Sequence, residues 1–520
     1  MDILSINQLR IIYDNLEKKF IKNKFNKFIK YSYLHLSVHF SRDEREFDKT
    51  NYTLLKNLYS QFPNSKDFLS SKNKLTSGYK IYLKSFKEQK YIPNISIPII
   101  IIIDILKFCK QIFDISGVFL IVFISIILNL LKRSKREFNS LKNKKIFSIY
   151  YWEKKTNNSS IYYYPNINEI ENSEVFISSF ADSKYFSKGL ISSLFESNFL
   201  TPAKILNIQD LILSILQFIH LYIYDFYLVI FKKDYCFLSI WIGWKKAAEI
   251  FYSILTYNSI VKIAKHSYQC EFISWHENQI TNRSFALGVT FAKRNYNSTC
   301  YLSTFNGTSF TQGSKRQFLP QKDEYKIGFW GDIYYVQDKG SLKEMSLVLK
   351  RENLDLSIKV SPESMLRIKA LSPKINDKAH LSRNITIFTH ASYWDLIACL
   401  LSIFNKKNKN LSYQRKILGE EKELYIRLHP SLNKVEALKE IKRIQEIPYS
   451  LKYNFIENIE ESFLTSIKLS QNSFFGSSSY INLAIEIGSN VFSVETSHLY
   501  KSPIKIELIN SQNLTKISPW

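Results

Sequence analysis

The chain has 520 residues, of which 45% are apolar and 22% are charged, so it can bury a large core and is not intrinsically disordered. Because one hydrophobic core rarely grows beyond about 250–300 residues, this length predicts two or three domains. The 71 basic and 46 acidic residues leave a formal net charge of +25, which favours polyanionic partners such as nucleic acid, anionic lipid or phosphorylated substrates.

Absent motifs narrow the chemistry further. The sequence contains no P-loop, no glycine-rich dinucleotide fingerprint, no GxSxG nucleophile elbow and no Asp-x-Asp pair. His276 and Glu277 begin like a zincin motif, but Ile280 stands where the second histidine is needed. The five cysteines form no CxxC pair, which argues against a zinc site or a disulfide framework and suits a reducing cytosol. We therefore expect no metal ion and no bound cofactor.

The first 92 residues are basic and have the spacing of helices. Apolar residues such as Leu9, Leu16 and Phe20 recur at roughly helical intervals, and lysines lie between them. This pattern is typical of a basic amphipathic helix on a membrane surface, and also of a packed helix with a solvated lysine face. We expect a basic helical N-terminal region over residues 1–92, and we expect no secretory signal peptide.

Residues 93–136 form the most unusual stretch of the chain. They contain two apolar runs, Ile97–Leu106 and Gly117–Leu131, and end in a basic cluster. Each run is shorter than the ~20 residues that a membrane-spanning helix needs. The pattern therefore predicts a shallow hairpin or an insertion in the plane of the membrane, with the basic cluster among lipid phosphates on the cytoplasmic side. The cluster comprises Lys132, Arg133, Lys135 and Arg136.

A second apolar stretch, residues 205–231, is interrupted by polar residues and followed by Lys232 and Lys233. The polar residues suggest one wet stripe, which predicts a pair of amphipathic helices lying against the bilayer or against the first hairpin. A buried core helix is the alternative interpretation. The interrupting residues are Gln209, Asp210, Gln217, His220 and Asp225.

From residue 270 onward, short apolar runs alternate with helical patterns. Glu271–Trp275 and Thr299–Phe305 are predicted strands, with a predicted helix at Arg283–Arg294 between them. The alternation predicts a doubly wound parallel sheet, in which ligands bind beyond the carboxyl ends of the strands. Further strands are predicted at Ile385–Thr389, Glu423–Leu428, Tyr453–Ile456, Ser473–Phe475 and Val491–Val494, separated by helices at Tyr393–Phe404, Leu432–Gln445, Glu460–Leu469 and Tyr480–Ile487.

Two polar motifs follow predicted strands in the C-terminal part of the chain. His429 follows one strand, where it can donate to a phosphate while Arg427 adds positive charge. Gly476 and three serines follow a later strand, where backbone N–H groups and hydroxyls at a helix start can bind an anion. Glu486, late on that helix, can reach a ribose hydroxyl or lie in solvent. Helix capping is the alternative for both motifs. The serines are Ser477, Ser478 and Ser479.

A third polar cluster follows the strand Glu271–Trp275 and comprises His276, Glu277 and Asn278. A positioned carboxylate can take the proton of an attacking hydroxyl, so Glu277 is the predicted general base and His276 is the rival for that role. The alternative is a surface turn in which Asn282 caps the next helix.

Six motifs, in this order, resemble the bacterial surface-carbohydrate biosynthesis proteins that have a GT-B type glycosyltransferase architecture. They are WHENQITNR, CYLSTFNGTSF, FLPQKDEYKIGFWGD, PESMLRIKAL, YIRLHPS and FFGSSSYINLAIEIGSNVFSVE. The last two also resemble the His-Pro and Ser-Ser elements of bacterial sialyltransferases. The resemblance implies an α/β fold of two Rossmann-like, doubly wound domains that face a cleft. An acceptor domain would cover residues 137–335, with the apolar insertion 205–231, and a nucleotide-sugar donor domain would cover residues 336–520.

The resemblance also implies a function. It predicts a metal-independent glycosyltransferase that moves a sugar from a nucleotide-sugar, such as a CMP-sugar, to a lipid-linked or nascent surface polysaccharide such as capsule, O-antigen or lipopolysaccharide. His429 and the three serines would contact the donor phosphate. The protein would be monotopic or peripheral on the anionic, cytoplasmic face of the inner membrane. The alternatives are an inactive GT-B protein that assists polysaccharide assembly, and a glycerophosphotransferase-like enzyme with a CDP-linked donor. No nucleic-acid reading motif is present, so nucleic acid is not an expected partner.

Overall fold

The computed structural model shows an α/β protein with two parallel sheets and their flanking helices. The predicted basic region 1–92 lies outside the described residues. The structure describes residues 97–131, 141–151, 173–180, 199–230, 247–267, 269–275, 280–305, 328–336, 353–360, 383–388, 423–428, 454–457, 463–475, 489–494 and 514–517, with single positions among 325–350 and 435–438 and at 484.

The first sheet has seven strands in the order β3-β2-β1-β4-β5-β6-β7, and every neighbouring pair is parallel. The chain runs outward from β1 to β3 and then returns to place β4 beside β1. The strand order therefore reverses between β1 and β4, as in a doubly wound Rossmann sheet. The strands are β1 (Lys145–Tyr151), β2 (Ser173–Phe180), β3 (Phe199–Leu200), β4 (Glu271–Trp275), β5 (Tyr301–Phe305), β6 (Ile333–Val336) and β7 (Ser357–Val360).

The second sheet repeats this order with six parallel strands, β10-β9-β8-β11-β12-β13, and reverses between β8 and β11. These two sheets confirm the predicted parallel α/β class. The strands change sheet between Val360 and Arg383, later in the chain than the predicted division after residue 335. The strands are β8 (Arg383–Phe388), β9 (Glu423–Arg427), β10 (Asn454–Glu457), β11 (Ser470–Phe475), β12 (Asn490–Val494) and β13 (Leu514–Ile517).

Most of the described helices belong to the first half of the chain, and α4 is central among them because α1, α3 and α5 all contact it. Tyr252 of α4 is fully buried and its hydroxyl donates to the carbonyl of Ile177 on β2 over 2.9 Å. Burial raises the pKa of Tyr252, so the phenol stays neutral and holds the helix to the sheet. The helices are α1 (Ile97–Leu131), α2 (Pro202–Ile205), α3 (Ile208–Ile230), α4 (Ala247–His266), α5 (Ile280–Tyr296) and α6 (Phe463–Leu469).

The predicted hairpin over residues 93–136 is wrong, because Ile97–Leu131 is one continuous helix of 35 residues. Pro98 lies in its first turn, where the missing N–H has no helical partner to lose. Gly117 is the other residue that could interrupt it, and an interior glycine costs only about 1 kcal/mol relative to alanine. Packing of Val118, Val122 and Ile126 into the core offsets that cost. Among the described residues, no helix has the combination of length and apolarity that crossing a membrane requires.

The predicted helix pair in 205–231 is also wrong, because Ile208–Ile230 forms the single helix α3. No proline or glycine occurs within it, so nothing in its backbone favours a break. The chain turns instead at Asn207, where two reciprocal hydrogen bonds start the helix. Asp210 N donates to Asn207 Oδ1 over 2.8 Å, and Asn207 N donates to Asp210 Oδ2 over 2.9 Å.

Alternating residues of the first sheet enter two buried clusters. Phe147, Ile273 and Phe305 share one cluster with α1 and the first half of α4. Phe272 and Leu302 point the other way and share a cluster with α5. This alternation follows from the two-residue repeat of a strand, and it assigns α5 to the face that carries the even-numbered side chains of β4 and β5.

Gly331 lies at the turn into β6, against the backbone of β5. Asp332 N donates to Leu302 O over 2.8 Å, and Leu302 N donates to Asp332 Oδ2 over 2.9 Å, so the turn is bound closely to that strand. A Cβ at Gly331 would overlap Leu302 O and would lie 2.8 Å from Thr304 Oγ1.

Because the obstacle at Gly331 is backbone, Gly331→Ala is expected to destabilise the protein by roughly 1–3 kcal/mol. Chemical denaturation measures this. Gly117→Ala is the matched control, since no atom lies within 4 Å of its added Cβ and alanine is favoured within a helix, so it should gain up to about 1 kcal/mol. Equal denaturation midpoints for Gly331→Ala and the wild type would contradict the close approach.

Candidate functional site

The first candidate site is the carboxyl edge of the first sheet, where the strand order reverses. β1 pairs with β4 only from Lys145–Glu271 to Phe147–Ile273. Beyond that point β1 continues beside β2 as far as Tyr151, and β4 continues beside β5 as far as Trp275. Backbone pairing thus ends early between the two halves of the sheet, in the crevice where doubly wound folds bind ligands.

Two buried hydroxyls lie beside this crevice, on Ser274 and Thr304, which are direct neighbours across β4 and β5. Within the described part of the chain, neither hydroxyl oxygen has a hydrogen-bond partner. Both residues are even-numbered, so their side chains lie on the face that α5 covers. Buried polar atoms are rarely left unpaired, and each costs about 1–3 kcal/mol when it is. A polar ligand atom that reached them would therefore be stabilised.

The first turn of α5 brings positive charge to the same edge. The Asn282 side chain is buried and donates to the carbonyl of Trp275, the last residue of β4. Arg283 is 2% exposed, and its guanidinium lies 4.9 Å from the ring centroid of Phe329. The amino end of a helix carries partial positive charge, so this end of α5 favours an anionic or electron-rich group. In the alternative interpretation Asn282 caps this helix, but the residue lies inside α5 and its side chain binds the end of β4.

Aromatic side chains cover the opposite face of this edge. Phe305, the last residue of β5, pairs with Tyr335 of β6, and their rings stack with centroids 4.4 Å apart. Burial, and to a lesser degree the nearby Glu271 carboxylate, raises the pKa of Tyr335, so its phenol is a neutral hydrogen-bond donor at physiological pH. Trp275 lies in the same cluster. The edge thus has polar and cationic groups on one face and a flat apolar layer on the other.

The second candidate site is the carboxyl edge of the second sheet. Arg427, Phe388 and Phe475 end the neighbouring strands β9, β8 and β11 in one row. The Phe388 and Phe475 rings stack with centroids 4.6 Å apart, and they form an apolar floor beside the Arg427 side chain. Because parallel strands all end at one edge, the residues that follow β9 and β11 in the sequence emerge one strand apart.

The structure describes one of the predicted site residues, Arg427, which lies on the predicted rim. His276 and Glu277 lie outside the described residues, as do His429, Gly476, Ser477, Ser478, Ser479 and Glu486. The described strands nevertheless fix where these motifs begin. β4 ends at Trp275, immediately before His276, and β11 ends at Phe475, immediately before Gly476. Both of these strands border a reversal of strand order.

Sequence reasoning missed Ser274, Thr304 and Arg283. The two hydroxyls lie within buried strands and carry no local signal, because only the pairing of β4 with β5 brings them together. Arg283 did have a signal: it is a lone arginine in a first helical turn, directly before the small and apolar run Ser284–Val289. Among the residues that the structure describes, no group of three His, Cys, Asp or Glu side chains could hold a metal ion.

Comparisons with known proteins give no family for this chain. It matches no protein-family profile and no curated protein. The S. aureus MnaA–UDP co-structure is 13% identical, covers 67% of this chain and 78% of its own, and has a TM-score of 0.34. A crystal structure of UDP-N-acetylglucosamine 2-epimerase is 10% identical, covers 73% of this chain and 84% of its own, and has a TM-score of 0.37.

Proposed function

We propose that the protein is a nucleotide-sugar-dependent glycosyltransferase. One observation carries the proposal: both sheets reverse their strand order, and a polar motif follows the strand at each reversal. His276 and Glu277 follow β4 of the first sheet, and Gly476 to Ser479 follow β11 of the second. Doubly wound sheets bind ligands at such points, so a chain with two of them has one place for a donor and one for an acceptor.

The second sheet suits the nucleotide-sugar donor. Arg427 contributes positive charge at the end of β9, and His429 follows it in the sequence. Ser477 to Ser479 follow β11, which lies on the other side of β8 from β9. Hydroxyls, an imidazole N–H and a guanidinium all donate to phosphate oxygens. The flat aromatic floor of Phe388 and Phe475 lies below. Donation from these groups would stabilise the negative charge that the nucleotide acquires as it leaves.

The first sheet suits the acceptor. In the proposed reaction an acceptor hydroxyl oxygen attacks the anomeric carbon of the sugar as the bond from that carbon to the phosphate oxygen breaks. The hydroxyl proton passes to Glu277, and the nucleotide departs with the bonding electron pair. The buried Ser274 and Thr304 hydroxyls, with the positive first turn of α5, would orient an oxygen-rich acceptor beside that base. We propose a lipid-linked or nascent surface glycan as the acceptor.

A thermal-shift panel of CMP-, CDP-, UDP- and GDP-linked sugars tests the donor assignment. A ligand present at 100 times its dissociation constant should stabilise the protein by about 2.7 kcal/mol, and one nucleotide class should do so selectively. The combined variant Ser477→Ala, Ser478→Ala and Ser479→Ala should lose the shift, whereas the Gly117→Ala control should keep it. A flat response to all four classes would contradict a donor site and favour a non-catalytic assembly role. Selective binding of CDP-glycerol over CDP-sugars would favour the glycerophosphotransferase alternative.

A further inference from the structure

The helix α3 has the reverse of the usual surface pattern, with its polar side chains turned inward. Ser214 and Gln217 are buried, and the Asn258 side-chain amide on α4 donates to Ser214 Oγ over 2.7 Å and to Gln217 Oε1 over 2.9 Å. Asp210 is paired in the same way, since its Oδ2 lies 2.6 Å from Lys262 Nζ on α4. The polar stripe of the helix is therefore satisfied by the protein itself.

The outward face of α3 is almost entirely aliphatic. It consists of large apolar side chains that are between 37% and 59% exposed. The polar exceptions among its described exposed positions are Gln209 and His220. A helix with buried polar side chains and exposed isoleucine and leucine side chains is poorly suited to contact with water. The exposed apolar residues are Ile208, Ile212, Leu213, Leu216, Ile219 and Ile223.

The helix α1 adds a second apolar stripe. Val118, Val122 and Ile126 enter the core, while Leu120, Ile124 and Leu128, four residues apart, remain about half exposed. Among the side chains of α1 that the structure describes before residue 115, Ile102, Leu106, Ile112 and Phe113 are exposed. At about 1.5 Å per residue, α1 is long enough to extend well beyond the sheet that it flanks.

The two stripes belong to one surface, because α1 and α3 both pack on α4 and also contact each other. Their outer faces therefore lie on the side away from α4. Thirteen large apolar side chains, each more than a third exposed, form this surface, which we call the aliphatic face. Soluble monomers rarely expose contiguous apolar patches of more than a few hundred Å², so a surface of this extent indicates a binding partner.

The composition of the aliphatic face favours lipid over protein. Protein interfaces are enriched in tyrosine, tryptophan, arginine and methionine, whereas the exposed apolar residues here are isoleucine, leucine and one phenylalanine. Basic residues also follow each helix directly. Lys132, Arg133, Lys135 and Arg136 come after α1, and Lys232 and Lys233 come after α3. Each such residue near an anionic bilayer contributes about 1 kcal/mol of attraction.

We infer that the aliphatic face inserts into the headgroup and acyl boundary of an anionic membrane, with α1 and α3 lying in the plane of the interface. This geometry needs no helix to cross the bilayer, because only the outer stripes enter the apolar layer. The inference is independent of the proposed catalytic function, since it depends on no residue of either sheet edge.

Vesicle co-sedimentation of the full-length protein tests the inference. Vesicles of equal parts phosphatidylcholine and phosphatidylglycerol should bind the protein, and phosphatidylcholine alone should bind it more weakly. High salt should weaken binding without abolishing it, since insertion of apolar groups survives screening. The combined variant Leu216→Gln, Ile219→Gln and Ile223→Gln should lower the partition coefficient by tenfold or more, because three inserted aliphatic side chains become polar.

The control variant is His220→Gln, which changes an exposed residue of the same helix without altering its aliphatic stripe and should bind as the wild type does. Thermal unfolding of the triple variant should match the wild type, because all three side chains are exposed. Wild-type protein that stays in the supernatant with both vesicle types would overturn the inference. So would a triple variant that sediments fully, or a concentration-dependent dimer that this variant abolishes, which would identify a second copy as the occupant.

Discussion

Replacing Glu277 with glutamine is expected to lower turnover by about 100 to 10,000 fold, while the affinity for the nucleotide-sugar changes little. Glutamine has nearly the same shape as glutamate but cannot accept the proton of the attacking hydroxyl. Glu277 comes two residues after Trp275, the last residue of β4, and β4 borders the crevice of the first sheet. The donor motifs follow strands of the second sheet, so the substitution leaves them untouched. Turnover is measured with a labelled donor, and affinity by thermal shift.

The neighbouring residue gives the matched comparison. Because β4 ends at Trp275, strand alternation offers no reason to prefer Glu277 over His276, and only the two variants side by side can separate them. We expect His276→Asn to keep most of its turnover. If that variant loses activity while Glu277→Gln keeps it, the base is His276. If both variants stay active, the cluster has a structural role and the proposed mechanism fails.

Replacing His429 with alanine is expected to weaken nucleotide-sugar binding by about 10 to 150 fold, which corresponds to the loss of roughly 1.5–3 kcal/mol from a hydrogen bond to a charged group. His429 comes two residues after Arg427, the last residue of β9, and the Gly-Ser-Ser-Ser segment follows β11 on the other side of β8. An imidazole N–H from this strand end and hydroxyls from that segment would share one phosphate.

Titration of the donor into each variant measures the effect. Gln471→Ala is a suitable control, because Gln471 is an exposed residue near the opposite, amino end of β11 and should not alter affinity. A folded His429→Ala protein that binds the donor as tightly as the wild type would show that the histidine only starts a helix.

Several strands after residue 270 were predictable from the sequence, because each is a short apolar run. β4 was predicted to the residue, and the predictions for β8, β9, β11 and β12 overlap the observed strands. β7 escaped prediction for the opposite reason. It is an edge strand of four residues in which Ser357 and Lys359 are exposed and Ile358 and Val360 are only partly buried, so it lacks the apolar run that marks a buried strand.

The helix α3 shows that hydrophobic periodicity alone does not predict which face of a helix is buried. Among the described members of the predicted wet stripe, Gln217 is buried and Asp210 pairs with Lys262, whereas Gln209 and His220 are exposed, so these residues do not form one solvated stripe. Which side of the helix faces the core depends on the partner. Here Asn258 and Lys262, more than forty residues later, supply the hydrogen bonds and the ion pair that draw the polar stripe inward. Information of that kind lies in tertiary packing, not in the segment itself.

The candidate site was likewise predictable from the sequence only in part. Sequence patterns located the polar motifs after the strands, because turns that follow buried runs are recognisable locally. The neighbouring hydroxyls of Ser274 and Thr304 were invisible, since strand pairing across thirty residues brings them together. The early end of the β1–β4 pairing was invisible for the same reason.

The late return of the chain to the centre of the first sheet has a consequence for how the protein folds. Lys145 of β1 pairs with Glu271 of β4, a contact between residues 126 positions apart (271 − 145), whereas Glu271 pairs with Tyr301 only 30 positions away (301 − 271). Closing the longer loop costs more chain entropy before the stabilising contacts form, so non-local pairings of this kind slow folding. The β4–α5–β5 unit can therefore assemble while β1, which pairs with β2 on one side, still lacks β4 on the other. During that interval the unpaired edge of β1 and the isoleucine-rich α1 would both be open to other chains, which makes synthesis and refolding the stage at which this protein is most prone to aggregate.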